Sequence, residues 1–67
     1  MSIIIKPSLT EIQLSQRWAI TPQTLQYWRK AGKGPKYLKI GRAVRYPLDI
    51  VENYEADHLV ASTSEEV

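Results

Sequence analysis

Between Thr21 and Gly32 the chain carries two glutamines, a tyrosine and a lysine, at Gln23, Gln26, Tyr27 and Lys30. Leu25 and Trp28, three apart, mark an apolar stripe at helical spacing, so the four polar side chains fall on the opposite side of one short rod. They do not make up the nucleophile–base pair that covalent catalysis needs. What they share is hydrogen bonding: an amide donates and accepts in one plane, a phenol does either, an ammonium donates. That set suits base edges rather than bond making. Glutamine pairs with adenine N6 and N7, lysine with guanine or phosphate, tyrosine with phosphate or a thymine methyl. A second group, Lys39, Arg42 and Arg45, is placed around Gly41. Arginine at the tip of a slim hairpin suits a narrow minor groove, where negative potential is strongest over A·T-rich sequence. Arg42 is the expected inserted side chain, with Lys39 and Arg45 on flanking phosphates.

Composition argues against catalysis. The chain has 67 residues, no cysteine and a single histidine, His58. Without cysteine there is no disulfide and no thiolate metal site, and one histidine assembles neither a zinc site nor a nucleophile–histidine relay. A domain of this size buries only about 60% of its unfolded surface, which leaves little for a deep pocket. The expectation is a single non-enzymatic domain with no cofactor and no metal. At 43% apolar and 24% charged residues it reads as an ordinary globular chain. The apolar run Ile3-Ile4-Ile5 is far short of the ~18–20 residues of a membrane span or of a signal-peptide core. A soluble, cytoplasmic protein without a membrane partner is therefore expected.

Charge is segregated along the chain. Residues 1–47 hold nine Lys and Arg against Glu11 alone, a net of +8, whereas residues 48–67 hold six acids and no cation, a net of −6. A polyanion would be oriented by such a field, with the last third of the chain held away. Charge runs are also common on plainly solvated faces, so the pattern supports nucleic acid only together with the side chains above.

These groups require elements to position them. Residues 1–8 read as an extended lead-in ended by Pro7, and residues 9–60 as the domain. Thr10 and Gln13 fit a capping box that opens a first helix over 11–18, with Leu14 and Trp18 on one face. Ala19 and Ile20 make a tight connection. Thr21 as N-cap and Pro22 at the first helical position open a second helix, which Gly32 stops near residue 31. Period-two alternation follows, Leu38 and Ile40 against Lys39, then Val44 and Tyr46 against Arg45. It predicts a hairpin about Gly41 and Arg42, with the apolar four on the core and the cations outward. Pro47 ends it. A third helix is expected from Leu48 to about Leu59, with Ile50, Val51 and Tyr54 inward and His58 either inward or, as the favoured reading, at the surface near a frayed helix end. Residues 61–67 read as a disordered acidic tail. The fold expected is mainly α with a small β-hairpin: helix–turn–helix, wing, helix.

The run Leu9-Thr10, Leu14, Ile20-Thr21, Thr24-Leu25, Trp28, Gly32, Pro35, Lys39-Ile40-Gly41-Arg42, Arg45-Tyr46 and Asp49-Ile50 resembles the excisionase/AlpA group of MerR-like winged helix–turn–helix domains. The likeness spans residues 9–55 and is most specific over residues 39–46. It implies a phage or mobile-element protein that binds double-stranded DNA at an attachment site or promoter. Such a protein is an excisionase (a recombination directionality factor) working with an integrase, or a small transcriptional regulator. By position, the implied contacts fall on Thr21, Gln23, Gln26, Tyr27 and Lys30, and on Lys39, Arg42 and Arg45 in the wing. The resemblance also implies DNA-templated head-to-tail self-association and, with no effector region after the module, no small-molecule effector. The chain departs from the family pattern at Trp18, Ala19 and Ser15, and at the wing tip, where Arg42 alone precedes Ala43.

Blander readings stand beside these. Trp18, Trp28, Tyr46 and Tyr54 are expected in the core, since a chain without Phe needs their bulk. Tyr37 fits either the core or DNA. Arg17 and Lys33, beside the two turns, are solvated or on phosphate, and Ile3, Ile4 and Ile5 form an edge strand or a partner contact. Asp49 serves the dipole of the third helix. A different class of function is a protein-interaction module that binds a basic partner, such as an integrase, through Asp49, Glu52, Glu55 and Asp57.

Overall fold

Thr10 begins the ordered architecture by capping. In the computed structural model, which describes residues 7–60, Gln13 N donates to Thr10 Oγ1 at 3.1 Å while Thr10 N donates to Gln13 Oε1 at 2.9 Å. This reciprocal pair satisfies two amide donors at the start of α1, Glu11–Trp18. Helix α2, Pro22–Ala31, starts from Thr21, whose Oγ1 accepts from Thr24 N at 3.3 Å, with proline in the first turn. Both helices end alike. Ala19 (φ 56) and Gly32 (φ 73) adopt left-handed backbone, and the following amides, Ile20 N and Lys33 N, donate back to Ser15 O and Trp28 O. Ala19 is the only non-glycine at positive φ among the described residues, a conformation costing an L-residue about 1–2 kcal/mol.

Three strands form one antiparallel sheet in the order β1-β3-β2: β1 is Ser8–Thr10, β2 Leu38–Ile40 and β3 Ala43–Pro47. The first of these carries Ser8, the last residue of the extended lead-in, into the sheet. Leu9 pairs with Tyr46 and Thr10 with Arg45, and Leu48 N donates to Pro7 O at 3.0 Å. A strand of three residues has no periodicity to detect, and its partner lies more than thirty positions downstream. Helix α3, Leu48–Asp57, closes the chain of elements. It stops short of the expected Leu59, leaving Leu59 and Val60 exposed. Its last turn has no basic residue, and Glu55 and Asp57 oppose the negative end of the helix dipole there.

Leu14, Leu25, Tyr46 and Val51 form the buried centre, with Leu9, Trp18, Ile20, Trp28 and Val44 packed round it. Trp18 bridges two contacts, tilted against Trp28 at 6.5 Å and stacked on Tyr54 at 5.4 Å. His58 is exposed rather than inward and stacks on Tyr54 at 4.0 Å. Aromatic bulk thus fills the space between α1, α2 and α3 that small domains fill with many aliphatics.

The hairpin holds the main correction. Gly41 (φ 61) and Arg42 are the two turn residues, and they fix the register as Ile40↔Ala43, Lys39↔Val44 and Leu38↔Arg45. Partners across a ladder share a face. Lys39 therefore shares the core side with Val44, while Leu38 and Ile40 share the outer face with Arg45 and are 50% and 63% exposed. The alternation holds within each strand, but the two strands are out of phase by one position. A two-residue turn sets that phase, and it places every side chain of β2 on the face opposite to the one its hydrophobicity suggested.

The expectations for Ile3, Ile4 and Ile5 and for residues 61–67 lie outside the described residues. No helix among the described residues is long and apolar enough to cross a membrane.

Candidate nucleic-acid interface

The outward row of α2 forms as the spacing requires. With Leu25 buried and Trp28 half-buried, Gln23, Gln26, Tyr27 and Lys30 are exposed, Tyr27 at 59%. Two open clefts join this row to the hairpin. One, of about 330 Å³, is lined by Gln26, Arg29, Lys30, Tyr37 and Lys39. The other, of about 380 Å³, runs from Gln26 and Arg29 past Glu11 and Ile12 to Arg42 and Arg45. Lys39, on the Val44 side of the hairpin, lines the first cleft with Gln26 and Lys30 instead of standing beside Arg45.

The eight candidate residues divide three ways. Gln23, Gln26, Tyr27, Lys30 and Lys39 are brought to one surface, with exposed Arg42 at the hairpin tip. Arg45 leaves the sheet on the other face from Lys39, and its Nη1 folds back to the Val44 carbonyl at 2.9 Å. Arg45 therefore does not share a hairpin face with Lys39 as the alternation suggested, and lines the second cleft with Arg42 instead. Thr21 is committed to its helix: besides capping Thr24 N, its hydroxyl pairs with Thr24 Oγ1 at 3.0 Å.

Between the row and the core lies a network that spacing did not reveal. Arg29 Nη1 is 2.7 Å from Glu11 Oε1 and donates to the Tyr46 hydroxyl at 2.8 Å. Its guanidinium also lies 5.7 Å from the centre of the Tyr37 ring. Glu11 Oε2 accepts from Gln26 Nε2 at 2.7 Å. Burial pushes the Glu11 carboxyl up, but the hydrogen bonds from Gln26 and Arg29 and the Arg29 charge outweigh it, so its pKa is lowered. For Arg29, burial works against the charged form, and bonds to Tyr46 and Glu11 raise its pKa in spite of that. Two signals in the sequence could have found this network. Arg29 follows Leu25 by four, so a charged side chain points toward the core and needs a partner. Glu11 is the lone acid among nine cations in residues 1–47.

Of the two turn-side cations, Arg17 is committed to α3. Its Nε and Nη2 donate to the Glu55 carboxylate at 2.6 and 2.8 Å, so it is ion-paired while its side chain stays 39% exposed to solvent. Lys33 Nζ lies 5.9 Å from the centre of the Tyr27 ring, beside the outward row. Among the described residues Lys30, Lys33, Lys36, Lys39, Arg42 and Arg45 make no ion pair with an acid. Uncompensated cations, planar amides and a phenol along α2 and the hairpin can bind an anionic, hydrogen-bonding polymer. Among the described residues no three His, Asp or Glu side chains gather as metal ligands. No family model matches the chain, and no curated protein is similar to it.

Proposed function

We propose that this chain is a winged helix–turn–helix protein that binds double-stranded DNA, with α2 in the major groove and the β2–β3 hairpin along the adjacent minor groove. One observation carries the reading: Gln23, Gln26, Tyr27 and Lys30 are exposed in a single row of α2, and Lys39 faces that row from the hairpin. A helix with its side chains is about 10–12 Å across, which a major groove about 12 Å wide admits. Helix α1 then braces α2 from behind, and Arg42 projects where a minor groove would pass. Lys30, Lys39 and Arg42 supply the attraction to phosphate that holds such a protein on its site.

The resemblance of residues 9–55 to excisionases supports a narrower reading within that class. The chain acts on phage or mobile-element DNA as a recombination directionality factor, promoting excision by an integrase without catalysis of its own. An AlpA-like transcriptional regulator uses the same contacts at a different site. The acidic-helix interaction reading loses one of its four side chains, since Glu55 is held by Arg17 and by Trp18.

Footprinting on the DNA of the element that encodes the chain tests the proposal. Protection within the attachment region supports the excisionase, and protection over a promoter replaces it with the regulator. Binding that survives Gln26→Ala, Lys30→Ala and Arg42→Ala together, or no protection anywhere, overturns DNA recognition by this surface.

A further inference from the structure

Gln26 is the one side chain of the exposed α2 row that a neighbouring element holds by a charged hydrogen bond. Its Nε2 donates to Glu11 Oε2 at 2.7 Å, and the other Glu11 oxygen, Oε1, is 2.7 Å from Arg29 Nη1. Arg29 in turn is anchored on the hydroxyl of buried Tyr46. A chain of polar contacts thus runs from the core to the tip of one exposed amide.

The direction of that amide follows from chemistry. An ionised carboxylate only accepts, so of the two ends of the Gln26 amide only the NH2 can face Glu11. Hydrogen bonds from Gln26 and Arg29 keep Glu11 ionised despite its partial burial. The carbonyl Oε1 therefore points away from Glu11. An unrestrained glutamine turns its amide over at little cost and presents either end; in this one the acceptor end is fixed away from Glu11, with the second N–H of the NH2 still able to donate.

We propose that Glu11 is a positioning residue for base selection: by holding the Gln26 NH2, it makes Gln26 read a base that offers an exocyclic amino group. In the major groove those bases are adenine, through N6, and cytosine, through N4; guanine and thymine present only acceptors at the corresponding place. The inference rests on α2 lying in the major groove, and it adds what that placement leaves undetermined, the class of base under Gln26. Glu11 itself need not touch DNA.

Selection from a random duplex library with the full chain provides the measurement, repeated for Gln26→Ala, Glu11→Gln and Glu11→Ala, with circular dichroism as a check on folding. Gln26→Ala identifies the position that Gln26 reads, by erasing the preference there. Every base pair carries one amino-bearing base in the major groove, so that base is also replaced at this position by its analogue lacking the amino group, and the unaltered chain is expected to lose about tenfold in affinity. Glu11→Gln keeps the volume of the side chain but lets either amide end face it, so the preference falls to about twofold or less while other positions keep theirs. A merely structural role for Glu11 would weaken binding at every position alike. The inference is overturned if, at the position erased by Gln26→Ala, removing the exocyclic amino group from that pair leaves affinity unchanged, or if folded Glu11→Gln retains the full preference. If the unaltered chain enriches no duplex at all, the DNA-binding reading fails and this inference fails with it. Should both Glu11 variants unfold, the effect of removing that amino group on binding by the unaltered chain still decides the matter.

Discussion

The Trp18 indole N–H donates to the Glu55 carboxylate at 2.5 Å, and that carboxylate also receives two bonds from Arg17. Consecutive residues at the end of α1 are thereby tied to one side chain near the end of α3. Because Trp18 stacks on Tyr54 and tilts against Trp28, the same carboxylate orients the aromatic layer that joins three helices.

Acid should loosen this tie. The Glu55 pKa is lowered from 4.5 to about 2, first by the hydrogen bond from Arg17 and then by that from Trp18. The folded chain therefore takes up this proton less readily than the unfolded one. Its contribution to stability is complete above about pH 4.5 and is lost as pH falls toward about 2. Thermal melts across that window should show Tm falling, and Glu55→Gln should start lower and fall less steeply. Equal slopes for both proteins would show that the tie does not matter to folding.

Two glycines of the same handedness should respond differently to alanine. Gly41 has φ 61 and open space where a Cβ would go, so Gly41→Ala carries only the left-handed backbone cost of about 1–2 kcal/mol. At Gly34, with φ 84, an added Cβ would stand 3.0 Å from Trp28 Cε3 and 3.3 Å from Trp28 Cβ. The Trp28 Cβ is part of a helix and cannot swing aside. Gly34→Ala should cost more than Gly41→Ala in urea unfolding, and near-infrared or near-ultraviolet probes are not needed to see it: the midpoint alone orders the two.

Phosphate binding should appear in the salt dependence. With about five or six phosphates neutralised, the logarithm of affinity should fall against the logarithm of salt concentration with a slope near −5. Lys39→Ala should make that slope shallower by about 1. Arg17→Ala, whose guanidinium is held by Glu55, should lower stability and leave the slope unchanged. Mobility-shift titrations at four or more salt concentrations measure all three, and a flat dependence contradicts electrostatic DNA binding outright.

Arg42 should matter most where the minor groove is narrow. It is exposed at the hairpin tip next to Gly41, and a narrow A-tract groove concentrates negative potential on an inserted arginine. Arg42→Ala should therefore lose more affinity on sites flanked by A-tracts than on sites flanked by G·C pairs. Equal loss on both would remove the minor-groove role and leave the rest of the interface standing.

Read by itself, the chain was enough to place α1, α2 and the two-residue turn of the hairpin, and to set Gln23, Gln26, Tyr27 and Lys30 in one outward row. Those features are local. A capping box, a proline in the first turn and a left-handed glycine act over three or four residues, and helical periodicity needs only Leu25 and Trp28 to orient its neighbours. What the three-dimensional arrangement decided is non-local. It paired Leu9 with Tyr46 to make a third strand, carried Lys39 to the side of the hairpin that faces α2, and joined Glu11 to both Gln26 and Arg29. It also withdrew Arg17 from the cationic surface to hold Glu55. Each of those outcomes depends on which distant groups become neighbours when the core closes, and a periodicity of two or of 3.6 residues carries no information about that.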